Sequence, residues 1–387
     1  MTSPAPIDAM ALSEVVKPFG ESRTLPATAY TSTAVFDWDL EHFFDEAWVC
    51  VGREEELAAG SVTERRAGKE SILLSSPGDG QLAAHFNVCR HRGHELLSGG
   101  ERALSLSCPY HGWSYRLDGT LRSAPRFGDT IEASDFELIP VRLEVWEGWV
   151  FVNVAGDAPE LANYLGNLAD LVGPYRPAEL RIGARLAYEP AANWKLLCEN
   201  YHECYHCSVI HPELCEVTPP DSGTNLSPTG AWIGGTMDLR PGVDTMSFDG
   251  SSPLEPLPGL DPFRKRTVGY FGGFPNLFLS LHPDYVMTHR LEPLAPGATR
   301  IVCEFLFPAE QVADSGFDVG FATEFWDLVN RQDWAACEAV QRGAASKGHR
   351  AGPLAPNEDA VYQFLALVGR SYAAGRLVLP PPPAQHR

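Results

Sequence analysis

The sequence predicts an α+β protein in which a small all-β domain is inserted between an N-terminal helix and a larger domain of strands and long helices. Three observations carry this. Between residues 45 and 155, short apolar runs (SILLSS, QLAAHFNV, ALSLSC, GWVFVNV) alternate with Gly, Pro and Asp turns, the pattern of a small β domain. Residues 265–307 supply further strand-like runs, notably NLFLSL, YVMTHRLEPL and TRIVCEFLF. Helical periodicity then appears in FATEFWDLVNRQDWAACEAVQRG and in NEDAVYQFLALVGRSYAA. The expected organisation is residues 1–44 as an arm and helix packing on the larger domain, 45–155 as the β domain, and 156–387 as the larger domain.

Taken in order, residues 1–30 are rich in Ala, Pro and Ser and read as an arm over the surface. Residues 31–48 predict a helix, capped by Thr31 or Ser32, with Phe36, Leu40, Phe43, Phe44 and Trp48 near helical spacing. PELANYLGNLADLV predicts another helix, and residues 193–211 one with a disturbed end. In the long helix, Phe325, Leu328, Val329, Ala335, Ala336 and Val340 suggest a buried stripe. The closing LPPPPAQHR is too proline-rich to be regular.

Composition narrows the function. The 387 residues are 44% hydrophobic and 21% charged, an ordinary balance for a folded chain of two domains. No apolar run is long enough for a transmembrane helix, and MTSPAPIDAM does not read as a secretory signal, so a cytoplasmic address is expected. A net charge of −20 argues against nucleic acid or an anionic membrane as partner. Nine cysteines, an odd number spread unevenly, favour metal ligands and buried thiols over a disulfide framework.

The β segment holds Cys89-Arg90-His91, then sixteen residues, then Cys108-Pro109-Tyr110-His111. Each short motif offers one thiolate and one imidazole, so two hairpin loops can each present one Cys and one His to a binuclear centre. That is the ligation of a Rieske [2Fe–2S] cluster, in which two Cys hold one iron and two His the other. A tetrahedral Cys2His2 zinc site is the competing reading. The one-residue gap in Cys89-x-His91 is unusual for a zinc finger, and no finger helix carries the second pair. His85 and His94 are left as ordinary polar residues, because the pattern is complete without them.

CRHRGHELL and CPYHGWSYRLDGTL resemble the Rieske domain of ring-hydroxylating and related Rieske non-haem iron oxygenases, oxygenase (alpha) subunit. The resemblance runs from about residue 25 to 375. It implies that the β domain sits within a helix-grip catalytic domain, an antiparallel sheet with long helices.

Asn193-Trp194-Lys195, Glu199-Asn200 and His206-x4-His211 resemble the mononuclear iron site of that family. The chemistry asks for two His and one carboxylate on one face of Fe(II), with the opposite face open. His206 and His211 are five apart, a poor spacing on a regular helix, so the helix must loosen between them. Pro212 helps by biasing His211 away from helical geometry. The resemblance places the acidic ligand on the long C-terminal helix, at Asp333, with Glu338 as rival. It gives Glu203 a linking role, holding an iron-ligand histidine on one side and a cluster histidine on the other. Asn200 is a further catalytic candidate. Cys198, Cys204 and Cys207 are expected to be small packing residues.

What the resemblance implies is an oxidoreductase, a monooxygenase or dioxygenase that takes O2 and electrons from a separate flavin and iron–sulfur reductase, with or without a ferredoxin. NAD(P)H and flavin belong to that partner, since the chain has no convincing Gly-rich dinucleotide fingerprint. A head-to-tail homotrimer is implied, in which His111 or His91 of one subunit faces Glu203 of the next. Glu203, GGFPNLFLSL and QDWAACEAVQRG look most like the branch acting on choline, glycine betaine, carnitine and stachydrine. The expected reaction is hydroxylation or oxidative N-demethylation of a small quaternary ammonium compound. Trp232, Phe271, Phe274, Phe278, Tyr285, Phe325 and Trp326 are candidates for an aromatic cage around the cation. An aromatic substrate is the alternative, and a pure Rieske electron carrier the non-enzymatic one.

Overall fold

In this computed structural model, which describes residues 3–78, 80–99, 102–128 and 130–379, the chain divides into two units. One is Met1–Phe43 with Pro159–Arg387, the other Phe44–Ala158. The α+β class expected from the sequence is what the chain adopts, with all sheets antiparallel.

The Phe44–Ala158 unit is built from short strands. One sheet orders Val49–Arg53, Trp149–Asn153 and Arg142–Trp146; a second orders Ala83–Phe86, Glu70–Ser76, Ser61–Ala67 and Arg102–Ala103. The hairpin from Ser61–Ala67 to Glu70–Ser76 closes on two residues, with Ala67 opposite Glu70, and Gly68 supplies the left-handed φ of 58° that such a turn needs. A third small sheet joins Leu106–Ser107, Ser114–Tyr115 and Leu121–Ser123. Val62, Leu73, Leu96, Leu106, Trp113 and Leu121 form the core here, and the thiols of Cys89 and Cys108 are buried in it.

The larger unit carries a seven-stranded sheet in the order Leu180–Tyr188, Ala298–Pro308, Val286–Ala295, Leu277–Leu281, Thr267–Gly273, Trp232–Asp238 and Thr224–Asn225. Three helices matter for the site: Trp194–Tyr201, Gly320–Ala344 and Asp359–Ala374. Asn193 starts the first, its side chain accepting from the Lys195 backbone N–H at 3.1 Å while Gln341 of the long helix accepts from the Asn193 N–H at 3.0 Å. Two helices are thereby registered against each other at the end away from the metal-ligand candidates; at the other end Asn200 donates to Asp333 at 3.0 Å.

Beneath this start lies a buried polar knot. Asp39 accepts from Lys195 Nζ, from Trp194 Nε1 at 3.2 Å and from Tyr372 Oη at 2.6 Å. One turn on, partly buried Glu199 accepts from Tyr30 Oη at 2.8 Å. Burial raises the Glu199 carboxyl to about 8, against lowering by the Tyr30 hydrogen bond and Lys195. Its folded pKa thus lies above the unfolded carboxylate value, so its contribution is fully present below about pH 4.5 and is lost as pH rises towards 8. Glu199→Gln keeps an acceptor for Tyr30 and removes the titration. The variant is expected to lose roughly several °C less in melting temperature than wild type between pH 6 and 9. Parallel losses in both proteins would show that Glu199 does not titrate in this range.

The structure differs from the sequence expectations in four places. The helix expected over 31–48 runs only from Thr33 to Asp39, with Ser32 accepting from Val35 N–H, and is followed by a wider turn over Leu40–Phe44. This turn carries Phe43 into an aromatic cluster with Trp38 and Tyr372. PELANYLGNLADLV forms two short helices, Leu161–Leu165 and Leu168–Val172. Gly166 separates them at φ 56°, where a Cβ would meet Thr229 at 2.7 Å. The strand Trp232–Asp238 was not expected. Its glycines hide the β pattern, yet a Cβ on Gly234 would lie 2.0 Å from the Tyr270 carbonyl oxygen. In the long helix, Ala335 and Val340 are exposed, and the buried face instead runs through Phe325, Trp326, Val329, Asn330, Trp334 and Cys337. Polar Asn330 takes an inward place because it faces a cavity, which shifts the apolar stripe.

The LPPPPAQHR tail, apart from Leu379, lies outside the described residues. Among the described residues no helix is long and apolar enough to cross a membrane.

Candidate metal centres

Two matching loops on the β unit present the first donor set. The Cys89 carbonyl accepts from Gly93 N–H and the Cys108 carbonyl from Gly112 N–H, each at 3.0 Å. Gly93 (φ 72°) and Gly112 (φ 75°) turn the two loops in the same left-handed way. The loops bring His91 and His111 to 4.6 Å between ring centroids. His91 stacks on Trp113 at 5.0 Å with an interplanar angle of 6°. Tyr115 Oη lies 3.4 Å from Cys89 Sγ and accepts from the Arg90 backbone N–H at 3.0 Å, tying the first loop to the strand after the second.

Both thiols are free and buried, and buried His91 Nδ1 has no hydrogen-bond partner. A buried imidazole nitrogen left bare beside free thiols suits a ligand atom better than a structural histidine. The four residues therefore fit a cluster held by Cys89, Cys108, His91 and His111. His85 is elsewhere, buried against Gly119, and His94 is exposed. Cys108→Ser is expected to abolish the visible absorption of the cluster while leaving the second centre loaded; iron and sulfide analysis of the purified variant checks this. An unchanged spectrum would remove Cys108 from the ligand set.

The second set lies in the larger unit. The helix that begins at Trp194 stops at Tyr201, and a separate turn, Cys207–Ile210, precedes Pro212–Val217. This break allows residues five apart to face one point. His206 Nε2 lies 3.3 Å and His211 Nε2 2.9 Å from Asp333 Oδ1, and the three donors lie within 4.8 Å of one another. Such a group could hold a metal ion. The outer nitrogens are held in place: Glu203 Oε1 accepts from His206 Nδ1 at 2.5 Å, and Gln332 Oε1 from His211 Nδ1 at 2.7 Å. That leaves both Nε2 atoms facing Asp333, where they could serve as ligand atoms. Asn200 Nδ2 donates to Asp333 Oδ1 at 3.0 Å and orients the carboxylate.

The contacts within this group also shift its titration. Burial would raise the Asp333 carboxyl, but the two histidines hold it down to about 2. Burial would likewise lower His206, and the Asp333 and Glu203 carboxylates override this and push it up to about 10. The rival Glu338 is turned away and accepts from the Ala191 backbone N–H at 3.0 Å.

Glu203 also closes the loop on itself, accepting from the backbone N–H groups of Tyr205 and of His206, the latter at 3.2 Å. Sequence reasoning missed Gln332, whose only signal was its place beside Asp333. It also missed Glu213, which accepts from Gln332 Nε2 at 3.3 Å. One expectation is corrected: Cys204 and Cys207 are joined in a disulfide that spans His206, not separate packing thiols. A C-x-x-C turn with Cα atoms 4.9 Å apart brings the two sulfurs within bonding reach. Cys198 is free and buried.

A cavity of about 460 Å³ opens onto the three donors. Of the seven aromatic residues considered for a cage, Trp326 lines it; Tyr201, Tyr270 and Trp334 join it there. The other six do not line it and belong to the buried core. Trp326 is fixed by donating to Tyr285 Oη at 2.8 Å.

A β unit with paired Cys/His loops, joined in sequence to a sheet-and-helix unit with a two-His, one-carboxylate group, is the architecture of a Rieske-type non-haem iron oxygenase. The chain belongs to the ring-hydroxylating oxygenase alpha-subunit family. The family description "Ring hydroxylating alpha subunit (catalytic domain)" matches residues 177–374, and "Rieske [2Fe-2S] domain" matches residues 47–139. The chain is 28% identical to the glycine betaine monooxygenase oxygenase subunit of Pseudomonas aeruginosa, over 92% of this chain and 90% of that one. It is 30% identical to the carnitine monooxygenase oxygenase subunit of Escherichia coli strain K12, over 85% of this chain and 86% of that one. Its fold matches that of a quaternary ammonium Rieske monooxygenase studied for carnitine oxidation and inter-subunit electron transfer. The TM-score is 0.79 at 25% identity, covering 96% of this chain and all of that one. The protein is accordingly an iron-dependent oxidoreductase with a [2Fe–2S] cluster and a mononuclear iron, and it uses O2 and reductase electrons.

Proposed function

We propose that the chain is the oxygenase component that hydroxylates or oxidatively N-demethylates a small quaternary ammonium compound. In this reading Cys89, His91, Cys108 and His111 hold the cluster, and His206, His211 and Asp333 hold the iron. The observation that carries it is the convergence of His206, His211 and Asp333 on the wall of a cavity faced by Tyr270, Trp326 and Trp334. Aromatic faces suit a methylammonium cation, which offers no strong hydrogen-bond donor. When bound, the iron supplies O2 activation and the cluster supplies single electrons.

The residues supply position and charge. Glu203 and Gln332 keep the imidazoles aimed, Asn200 keeps the carboxylate aimed, and the aromatic walls keep water from the substrate's methyl groups. Electrons come from a separate reductase that carries the flavin and uses NAD(P)H.

A head-to-tail homotrimer is part of the proposal. Glu203 is partly exposed beside Tyr205 and Val209, which are 62% and 84% exposed. On the β unit His111 is exposed beside Tyr110, itself 52% exposed. Apolar surface of this kind beside each centre fits a ring in which one subunit's cluster loops meet the next subunit's Glu203.

The test is O2 uptake by enzyme and reductase on a panel of trimethylammonium and aromatic compounds, with formaldehyde detection. Uptake with trimethylammonium compounds is expected. Uptake with aromatic compounds alone would overturn the substrate class.

A further inference from the structure

The charge on the cavity wall bears on which quaternary ammonium compound enters. Four carboxylates line it: Asp333 of the metal group, Glu203 held on His206, and Asp221 and Asp359 apart from that group. Among the described residues no Lys or Arg does. The cavity's histidines do not change the balance. His206 and His211 belong to the metal set. His202 donates from Nδ1 to the Cys198 carbonyl at 2.6 Å, and His289 donates from Nε2 to Asn330 Oδ1 at 3.1 Å. Each is therefore a neutral ring with one bare nitrogen; His202 Nε2 and His289 Nδ1 are buried and have no partner. Burial lowers both to about 4, so neither carries charge near neutral pH.

The polar donors on the wall are largely committed elsewhere. Asn200 Nδ2 serves Asp333 at 3.0 Å, and Asn225 Nδ2 serves Asp359 at 2.6 Å. Ser280 Oγ pairs with Tyr201 Oη at 3.1 Å. A substrate carboxylate would meet carboxylate side chains and no Lys or Arg to pair with, a juxtaposition that interfaces use to reject a wrong ligand. An ammonium centre meets aromatic faces and carboxylates.

We propose that the cavity selects quaternary ammonium cations that carry no carboxylate over zwitterionic betaines. Asp221 and Asp359 set that preference, and Tyr270, Trp326 and Trp334 face the methyl groups. This rests on the quaternary ammonium reading above and narrows it.

The experiment compares two pairs in substrate-dependent O2 uptake: choline against glycine betaine, and β-methylcholine against carnitine. Within each pair the cation is expected to be favoured in kcat/KM by about tenfold or more. Asp221→Lys and Asp359→Lys, with folding checked by circular dichroism and retained mononuclear iron, are expected to move the ratio toward the zwitterion by a similar factor. If either variant fails to fold, the wild-type ratios decide. A wild-type preference for the betaines overturns this inference and leaves the proposed function standing. Uptake with none of the four compounds overturns both.

Discussion

Replacing Asp333 by alanine is expected to reduce turnover by about a thousandfold or more, since a catalytic metal supplies several kcal/mol of transition-state stabilisation. The reason is local. Among the described residues Asp333 is the one carboxylate facing both His206 Nε2 and His211 Nε2, at 3.3 and 2.9 Å. Its anionic state is held by those same histidines. Removing it leaves only the two imidazole donors and strands Asn200, whose amide loses its acceptor. The β unit is untouched, so the cluster spectrum should persist at full intensity while about one iron per chain is lost. Retained turnover would remove Asp333 from the site. Loss of the cluster spectrum as well would point to a folding defect; Asp333→Asn, which keeps the volume and one acceptor oxygen, would then separate the two effects.

The second large effect is expected at Glu203. Glu203→Gln keeps the side-chain shape and an oxygen for His206 Nδ1, but removes the charge. Partners that orient a ligand histidine are typically worth 10–100-fold in activity, and Glu203 is also the proposed contact with the neighbouring subunit. Multiple turnover is expected to fall by about 100-fold, with both metal contents unchanged. Rapid mixing of pre-reduced enzyme with substrate and O2 provides a readout that a merely structural role would not move. The cluster should reoxidise more slowly in the variant by the same factor. A variant that loses iron instead would make Glu203 only a support for His206.

How much of this was legible in the sequence follows from the range of each interaction. Cys89, His91, Cys108 and His111 stand in two compact motifs whose glycines mark the turns, and the chemistry needs little beyond that local geometry. His206 and His211 are as close in sequence, and Pro212 signals the break that lets them converge. Asp333 lies 122 residues beyond His211. Periodicity places it on a helix but not opposite two histidines, and family resemblance was needed to choose it over Glu338. Gln332 and Glu213 show why orienting residues are hard to foresee: amides and carboxylates of this kind are common on helix surfaces, and only tertiary contact gives them a partner. The cavity wall was misread for a related reason. Large aromatic residues such as Trp232 and Phe271 are as suited to a core as to a cage, and sheet register, not composition, turns Tyr270 inward. The C-x-x-C spacing of Cys204 and Cys207 was legible as a motif, but the pair was read as packing residues because free cysteines tend to be buried.

The most direct test of the account is complementation between two inactive subunits. Cys108→Ser removes the cluster and Asp333→Ala the mononuclear iron, each leaving the other centre in place. Co-expressed with different tags and purified as mixed assemblies, the two should recover substrate-dependent O2 uptake, because a cluster on one subunit then serves an iron on its neighbour. Mixed assemblies as inactive as either parent, with both centres shown by metal analysis to be loaded, would contradict the assignment of electron transfer across the subunit boundary at Glu203.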